Sequence, residues 1–246
     1  MTTYPLGTLD VGRRVPLVID WQAVDVTLAA RTGQAITLTR ASTATVTDTS
    51  GQTGTMRVDQ PCWTYDATTG LVSLRIAPAN SPRAVDIASA PFGLAPTAMT
   101  IYADFLERGL AAGATMGRVW QISDSASTGP YLIVMATGTG SYQVYHNNGT
   151  TAVAKAMSTA PVTGNRVRLR AVLYTDGSVE LFQSINGAAE TTSGRSSANT
   201  MGSLWSGVAN PLLWLGSVNG ASAGAVDLVA VRAALDVVSA VNLWVP

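Results

Sequence analysis

Residues 165–187 read NRVRLRAVLYTDGSVELFQSING. Val167, Leu169, Ala171 and Leu173 fall on one parity, and Arg166, Arg168, Arg170 and Tyr174 on the other. A period of two is the mark of a strand with one buried face. Thr175-Asp176-Gly177-Ser178 interrupts it, and Asp-Gly supplies the positive φ angles of a tight type I′ turn. Alternation then resumes, with Val179, Leu181 and Gln183 set against Glu180 and Phe182. The stretch predicts a long antiparallel hairpin, and the rest of the chain is read outward from it.

On both sides the β signal continues. Met99–Glu107 alternates Ile101, Ala103 and Phe105 with Tyr102, Asp104 and Leu106. RVWQIS at 118–123 reads as a strand, and YLIVMAT at 131–137 as a central strand packed on both faces. SYQVYH leads into a second hairpin turn at Asn147-Asn148-Gly149, with a strand over 151–157. Residues 193–210 read as a polar loop. PLLWLGSV at 211–218 and AVDLVAVRAAL at 225–235 read as strands, and the apolar tail SAVNLWVP is expected to dock on the sheet. Ten to twelve strands, spaced about 8 to 15 residues apart and without an amphipathic helix, predict an all-β antiparallel sandwich or jelly roll. The order resembles the concanavalin/laminin-G jelly roll over about residues 98–244: a strand series, the Arg-Val-Arg-Leu-Arg hairpin, a Leu-Trp-Leu-Gly strand, a Gly-rich loop and a closing strand.

Upstream the pattern weakens. Pro5 and Pro16 limit any strand near Val15–Ile19 to an edge, and Arg13 and Arg14 are candidate partner contacts. Residues 34–80 read as two or three short strands with turns at 48–51 and 65–70. Their wording is similar to a segment recurrent in tailed-bacteriophage virion proteins, "TFTRASTATYVDSNG", then "PRFDYDPTTG", then "LLIEPARTN". Thr39-Arg40-Ala41-Ser42-Thr43-Ala44-Thr45 matches the first block, and Tyr65-Asp66 with Thr68-Thr69-Gly70 matches the second. Ile76 and Pro78-Ala79 echo the third, whereas Cys62, Thr64 and Ala77 depart from the family's Arg, Asp and Glu. The resemblance implies a virion component carrying a lectin-like jelly roll. Three prolines between Ser81 and Pro96 place the expected boundary near Arg83, giving an N-terminal arm and anchoring segment over 1–83 and a jelly-roll domain over 84–246.

Composition bounds the partners. The 246 residues hold 15 Lys+Arg and 15 Asp+Glu, so net charge is zero and no basic block points to nucleic acid. Charged residues make 12%, about half the usual share of roughly 25%. A surface so poor in charge points to cover by partners: other virion proteins, and the chain itself as a homo-oligomer, a trimer being the usual habit of phage appendages. No run of 18 apolar residues predicts a membrane span, and the start lacks the pattern of a signal peptide. The expected location is therefore the virion, head or tail.

Chemistry is sparse. Glycosidases on this fold set two or three acids on one strand face. Asp104 and Glu107 stand three apart on a strand, so they face opposite sides, and both are expected to be solvated surface acids. His146 and Cys62 are the sole histidine and cysteine, which excludes a zinc site and an internal disulfide. Calcium at Asp124 or Asp227 lacks a supporting Asp-x-Asp cluster. No catalytic residue, cofactor or metal is expected, and a glycan hydrolase is the least favoured class. A carbohydrate-binding module is the stronger alternative. Trp120, Tyr142, Tyr145, His146, Asn147 and Asn148 would supply an aromatic platform with amides for a host-surface glycan; the competing reading places them as core and hairpin residues.

Overall fold

The computed structural model describes residues 73, 98–109, 117–123, 130–200, 226–234 and 237 in full, and the strand backbones over 17–22, 45–47, 53–56, 63–66, 71–76, 85–87 and 212–215. Arg13, Arg14, Cys62 and Asp124, together with the C-terminal tail from 238, lie outside the described residues. Among the described residues every element is a strand, and every pairing is antiparallel.

The opening hairpin forms where its alternation places it. β12 (Arg166–Leu173) pairs with β13 (Val179–Ile185) in the register Val167↔Ile185 through Leu173↔Val179. On its other edge β12 pairs with β7 (Met99–Glu107), which aligns Val167 with Phe105, Leu169 with Ala103 and Ala171 with Ile101. All six side chains are buried, so the shared parity of the two strands makes one wall of the core. β7 is followed by β16 (Val226–Ala234), which carries a register shift between Leu228 and Ala230. The far edge of β16 pairs with β5 (Leu71–Ile76) at one end and β1 (Leu17–Gln22) at the other. β4 (Trp63–Asp66) beyond β5, and β14 (Thr191–Thr192) beyond β13, complete the first sheet.

The second sheet runs β11 (Ala152–Ala156), β10 (Tyr142–Asn147), β9 (Tyr131–Ala136), β8 (Arg118–Ser123), β15 (Leu212–Leu215), β6 (Val85–Ile87), β3 (Thr53–Met56), β2 (Thr45–Thr47). Leu132 to Ala136 of β9 are all buried, as a strand flanked on both sides and covered on both faces requires. Phe105 of the first sheet meets Tyr142 of the second edge to face, ring centroids 5.4 Å apart, which fixes the facing sides of the two sheets. The architecture is the antiparallel jelly-roll sandwich that the strand pattern predicts.

Strand pairing runs across residue 83. β1, β4 and β5 extend the first sheet, and β2 and β3 extend the second. At the opposite border, β11 is the edge of the second sheet. It exposes Ala152, Ala154 and Ala156 and carries Lys155, the only lysine of the chain, between the last two. A charge on a short edge strand discourages further strand addition.

The turns differ in detail from the sequence reading. Gly177 has φ +74°, but Asp176 has no positive φ. Gly177 N–H donates to Tyr174 O at 2.9 Å, and Tyr174 N–H to Ser178 O at 2.9 Å. This is a turn closed by a left-handed glycine bulge and not type I′, whose two central residues both need positive φ. The paired positive angles occur one turn later, at Asn186 (φ 52°) and Gly187 (φ 80°), where Ala188 N–H donates to Ile185 O at 3.0 Å.

Candidate carbohydrate-binding face

The period of two divides the six residues expected to form a platform. On β10 Tyr142, Val144 and His146 point into the sandwich, and Gln143, Tyr145 and Asn147 point outward and are half-buried. Trp120 pairs with Val134, which pairs with Val144, so it shares the inner face and is fully buried. Trp120, Tyr142, His146 and Asn148 are thus interior residues, and no sugar can stack on them. Tyr145 and Asn147 remain on the surface.

Three of the four buried members make buried hydrogen bonds, and Trp120 fills the core with its Nε1 unpartnered. Tyr142 Oη donates to Glu107 Oε2, and burial, then the adjacent carboxylate, push the phenol well above its usual range. Glu107 Oε1 also accepts from Gly109 N–H at 2.6 Å. His146 Nδ1–H donates to Gly177 O at 2.8 Å, its Nε2 has no hydrogen-bond partner, and burial lowers its pKa. Asn148 ties its own turn to a second loop. Its Nδ2 donates to Asn199 Oδ1 and Thr200 Oγ1, each at 2.8 Å, while its Oδ1 accepts from Thr150 N–H at 2.9 Å and Thr151 N–H at 2.8 Å. The Asn147-Asn148-Gly149 turn is therefore pinned to the loop over 193–200.

The acids are also engaged. Asp104 is 4% exposed and Glu107 1%, which corrects the expectation of solvated surface acids. They do face opposite sides. Asp104 accepts from Arg166 Nε at 3.0 Å and Nη2 at 2.7 Å, with Arg168 Nε 3.6 Å away, on the outer face of the first sheet. Glu107 turns inward to Tyr142. Asp227, considered for calcium, is buried and accepts from Arg108 Nε at 2.8 Å, so a guanidinium occupies the position a cation would take. Among the described residues no three of His, Cys, Asp and Glu gather where they could hold a metal ion, and no helix is long and apolar enough to cross a membrane.

What remains open is the outer face of β10 and β11, bordered by Tyr131 at the start of β9. Tyr131 and Tyr145 stack there with centroids 5.8 Å apart and rings inclined by 22°. Gln143 and Asn147 flank Tyr145 on the same strand face. Register sets Asn147 against Ala152, Tyr145 against Ala154 and Gln143 against Ala156. Three alanines beside a tyrosine and two amides leave a ledge. Asn147 Oδ1 accepts from Gly149 N–H at 2.7 Å, but its Nδ2 and the whole Gln143 amide have no hydrogen-bond partner among the described residues. Sequence reasoning missed Tyr131 because it opens an apolar run that reads as core. The alternation of SYQVYHN, carried across the turn, was the signal that would have paired Tyr145 with it.

No family model matches the chain, and no curated protein matches it in sequence. Solved structures match in shape. The enzymatically active domain of tailspike protein 2 of bacteriophage CBA120 aligns at 13% identity and TM-score 0.52, over 85% of this chain and 31% of that one. A mutant of HCR/D aligns at 8% identity and TM-score 0.53, over 80% of this chain and 48% of that one. The full-length tailspike protein 2 aligns over 75% of this chain and 25% of its own, with 13% identity and TM-score 0.48. The chain thus spans 25% to 31% of the tailspike chains it matches. What the chain shares with the first two is the fold, a two-sheet antiparallel β-sandwich.

Proposed function

We propose that the protein is a non-enzymatic structural component of a tailed-bacteriophage virion, a tail component or capsid decoration that carries a lectin-like sandwich. The observation that carries this reading is the Thr39–Thr45 block with Tyr65-Asp66 and Thr68-Thr69-Gly70, whose wording resembles virion proteins. The sandwich fold common to this chain and a tailspike domain supports it as fold alone. Among the described residues, the engagement of Asp104, Glu107 and Asp227 with arginines and a tyrosine supports this reading over glycosidase chemistry, which needs two carboxyls about 5 to 9.5 Å apart flanking a substrate cleft. Its partners are other virion proteins and further copies of itself, held through apolar contacts and backbone pairing more than through charge. Mass spectrometry of gradient-purified particles, with gold-labelled antibody to place the chain on head or tail, tests this. Intact particles that lack the chain would end it.

A second reading, carbohydrate binding, is favoured by one arrangement: the stacked Tyr131–Tyr145 pair beside the Gln143 amide, which has no partner among the described residues, on an outer sheet face. The two readings are compatible in one protein.

A further inference from the structure

We propose that the ledge on β10 and β11 binds an uncharged glycan laid along β10, gripped by the Gln143 and Asn147 amides and stacked on Tyr145. This rests on the carbohydrate-binding reading and specifies its site and ligand class.

The groups present select that class. Two nearly parallel tyrosine rings leave each with one face turned away from the other, and a sugar ring offers an apolar C–H face to match. An amide presents a donor and an acceptor side by side, which suits neighbouring hydroxyls on one sugar. Gln143 and Asn147 stand four residues apart, about 13 Å along the strand, with Tyr145 midway. The geometry therefore suits a short run of sugar units better than a single one.

Charge decides against acidic glycans. The outward residues of β10 and β11 are Gln143, Tyr145, Asn147 and three alanines, none of them ionised. Apart from Lys155, the nearest cation of this sheet among the described residues, Arg118 on β8, stands near enough to Tyr131 to act on it electrostatically and donates to Gln121 Oε1, with β9 and β10 between it and the alanines of β11. Lys155 belongs to the opposite parity of β11 from the alanines. A carboxylated sugar over β10 and β11 would lose water with no cation on those two strands' outward face. A peptide strand would instead pair with the bare backbone edge of β11, where it would meet Lys155 and would not need the ledge amides.

The space beside Tyr145 supplies the test. Ala154 is exposed, so Ala154→Arg fills the ledge without disturbing the core. Affinity electrophoresis and calorimetry of the full chain would use dextran and galactomannan as neutral polymers, and alginate and hyaluronan as acidic ones. We expect binding to a neutral polymer, reduced at least about tenfold by A154R and by Tyr145→Ala, with smaller losses for Gln143→Ala. Neutral binding that persists in A154R would leave carbohydrate binding standing and remove the ledge as its site. Binding confined to the acidic polymers would overturn the ligand class. Absence of binding to all four polymers would overturn the proposal and the second reading with it, leaving the virion role untouched.

Discussion

His146, the only histidine of the chain, donates its Nδ1–H to the carbonyl of Gly177 across 2.8 Å and is 0% exposed. That bond joins the second sheet to the turn of the main hairpin in the first. It uses the neutral ring. Protonation would place a second N–H on Nε2, which has no acceptor there.

The folded pKa of His146 is therefore depressed below the unfolded value of about 6.5, and burial is the leading cause. In the window between them the unfolded chain binds the extra proton. Stability should be full above about pH 6.5 and fall as the pH drops, by at most about 1.4 kcal/mol per pH unit for one proton. Asp176 adds a second window. Hydrogen bonds from Ser178, then Arg195, hold its pKa at about 2, so its contribution is present above the usual carboxylate value and is lost as pH falls toward 2. Urea unfolding from pH 8 to 4 (roughly the histidine range and below) should show the first slope, and His146→Gln should flatten it. An unchanged slope in the variant would show that another group titrates.

Gly177 and Gly187 both have positive φ, but only the first is crowded. A Cβ on Gly177 would run into the carbonyl of Asn199, whereas nothing lies within 4 Å of one on Gly187. Gly187→Ala should cost about 1 kcal/mol, the conformational term alone. Gly177→Ala should cost at least about 2 kcal/mol more and free the 193–200 loop to hydrogen exchange. Equal costs would mean that the loop does not approach the turn.

Tyr142→Phe removes one oxygen from the sandwich interior and leaves Glu107 Oε2 without its hydroxyl donor. We expect a loss of about 1–3 kcal/mol. The double variant Tyr142→Phe, Glu107→Gln should recover part of that loss, because an amide is less costly to bury than a carboxylate. A double variant no more stable than the single one would place the cost in packing.

A chain beginning at residue 84 keeps β6 through β16 but strips β1 and β5 from one edge of β16. It should fold by circular dichroism, and it should associate in sedimentation through that bare edge. An unfolded chain would show that the N-terminal strands are required to complete the sandwich.

How far the sequence carried depended on which physical pattern each residue obeyed. The faces of β7, β10, β12 and β13 were legible because strand periodicity has no ambiguity once one face is apolar. The glycan platform was drawn by composition near a turn, and it ignored that same periodicity, which sends Tyr142 and His146 inward while Tyr145 and Asn147 go out. Tyr102 and Asp104 show the other limit. Their parity marks the outer side of the first sheet, yet both are buried. Whether a second layer covers a polar sheet face depends on segments distant in sequence, and no local pattern records it. The Asp-Gly pair promised a type I′ turn, but the turn found there offers Asp176 O to Asn199 N–H and Gly177 O to His146, two tertiary bonds that no local preference records.

The solitary lysine on β11 has a practical consequence. Apart from the α-amino group, an amine-reactive probe has one target on this chain, at residue 155 on the border of the second sheet. Its labelling rate in isolated protein, compared with that in an assembled particle, would report whether a neighbour covers that border. A fluorophore placed there would also lie one strand from Tyr145, close enough to register occupancy of the ledge without any substitution in it.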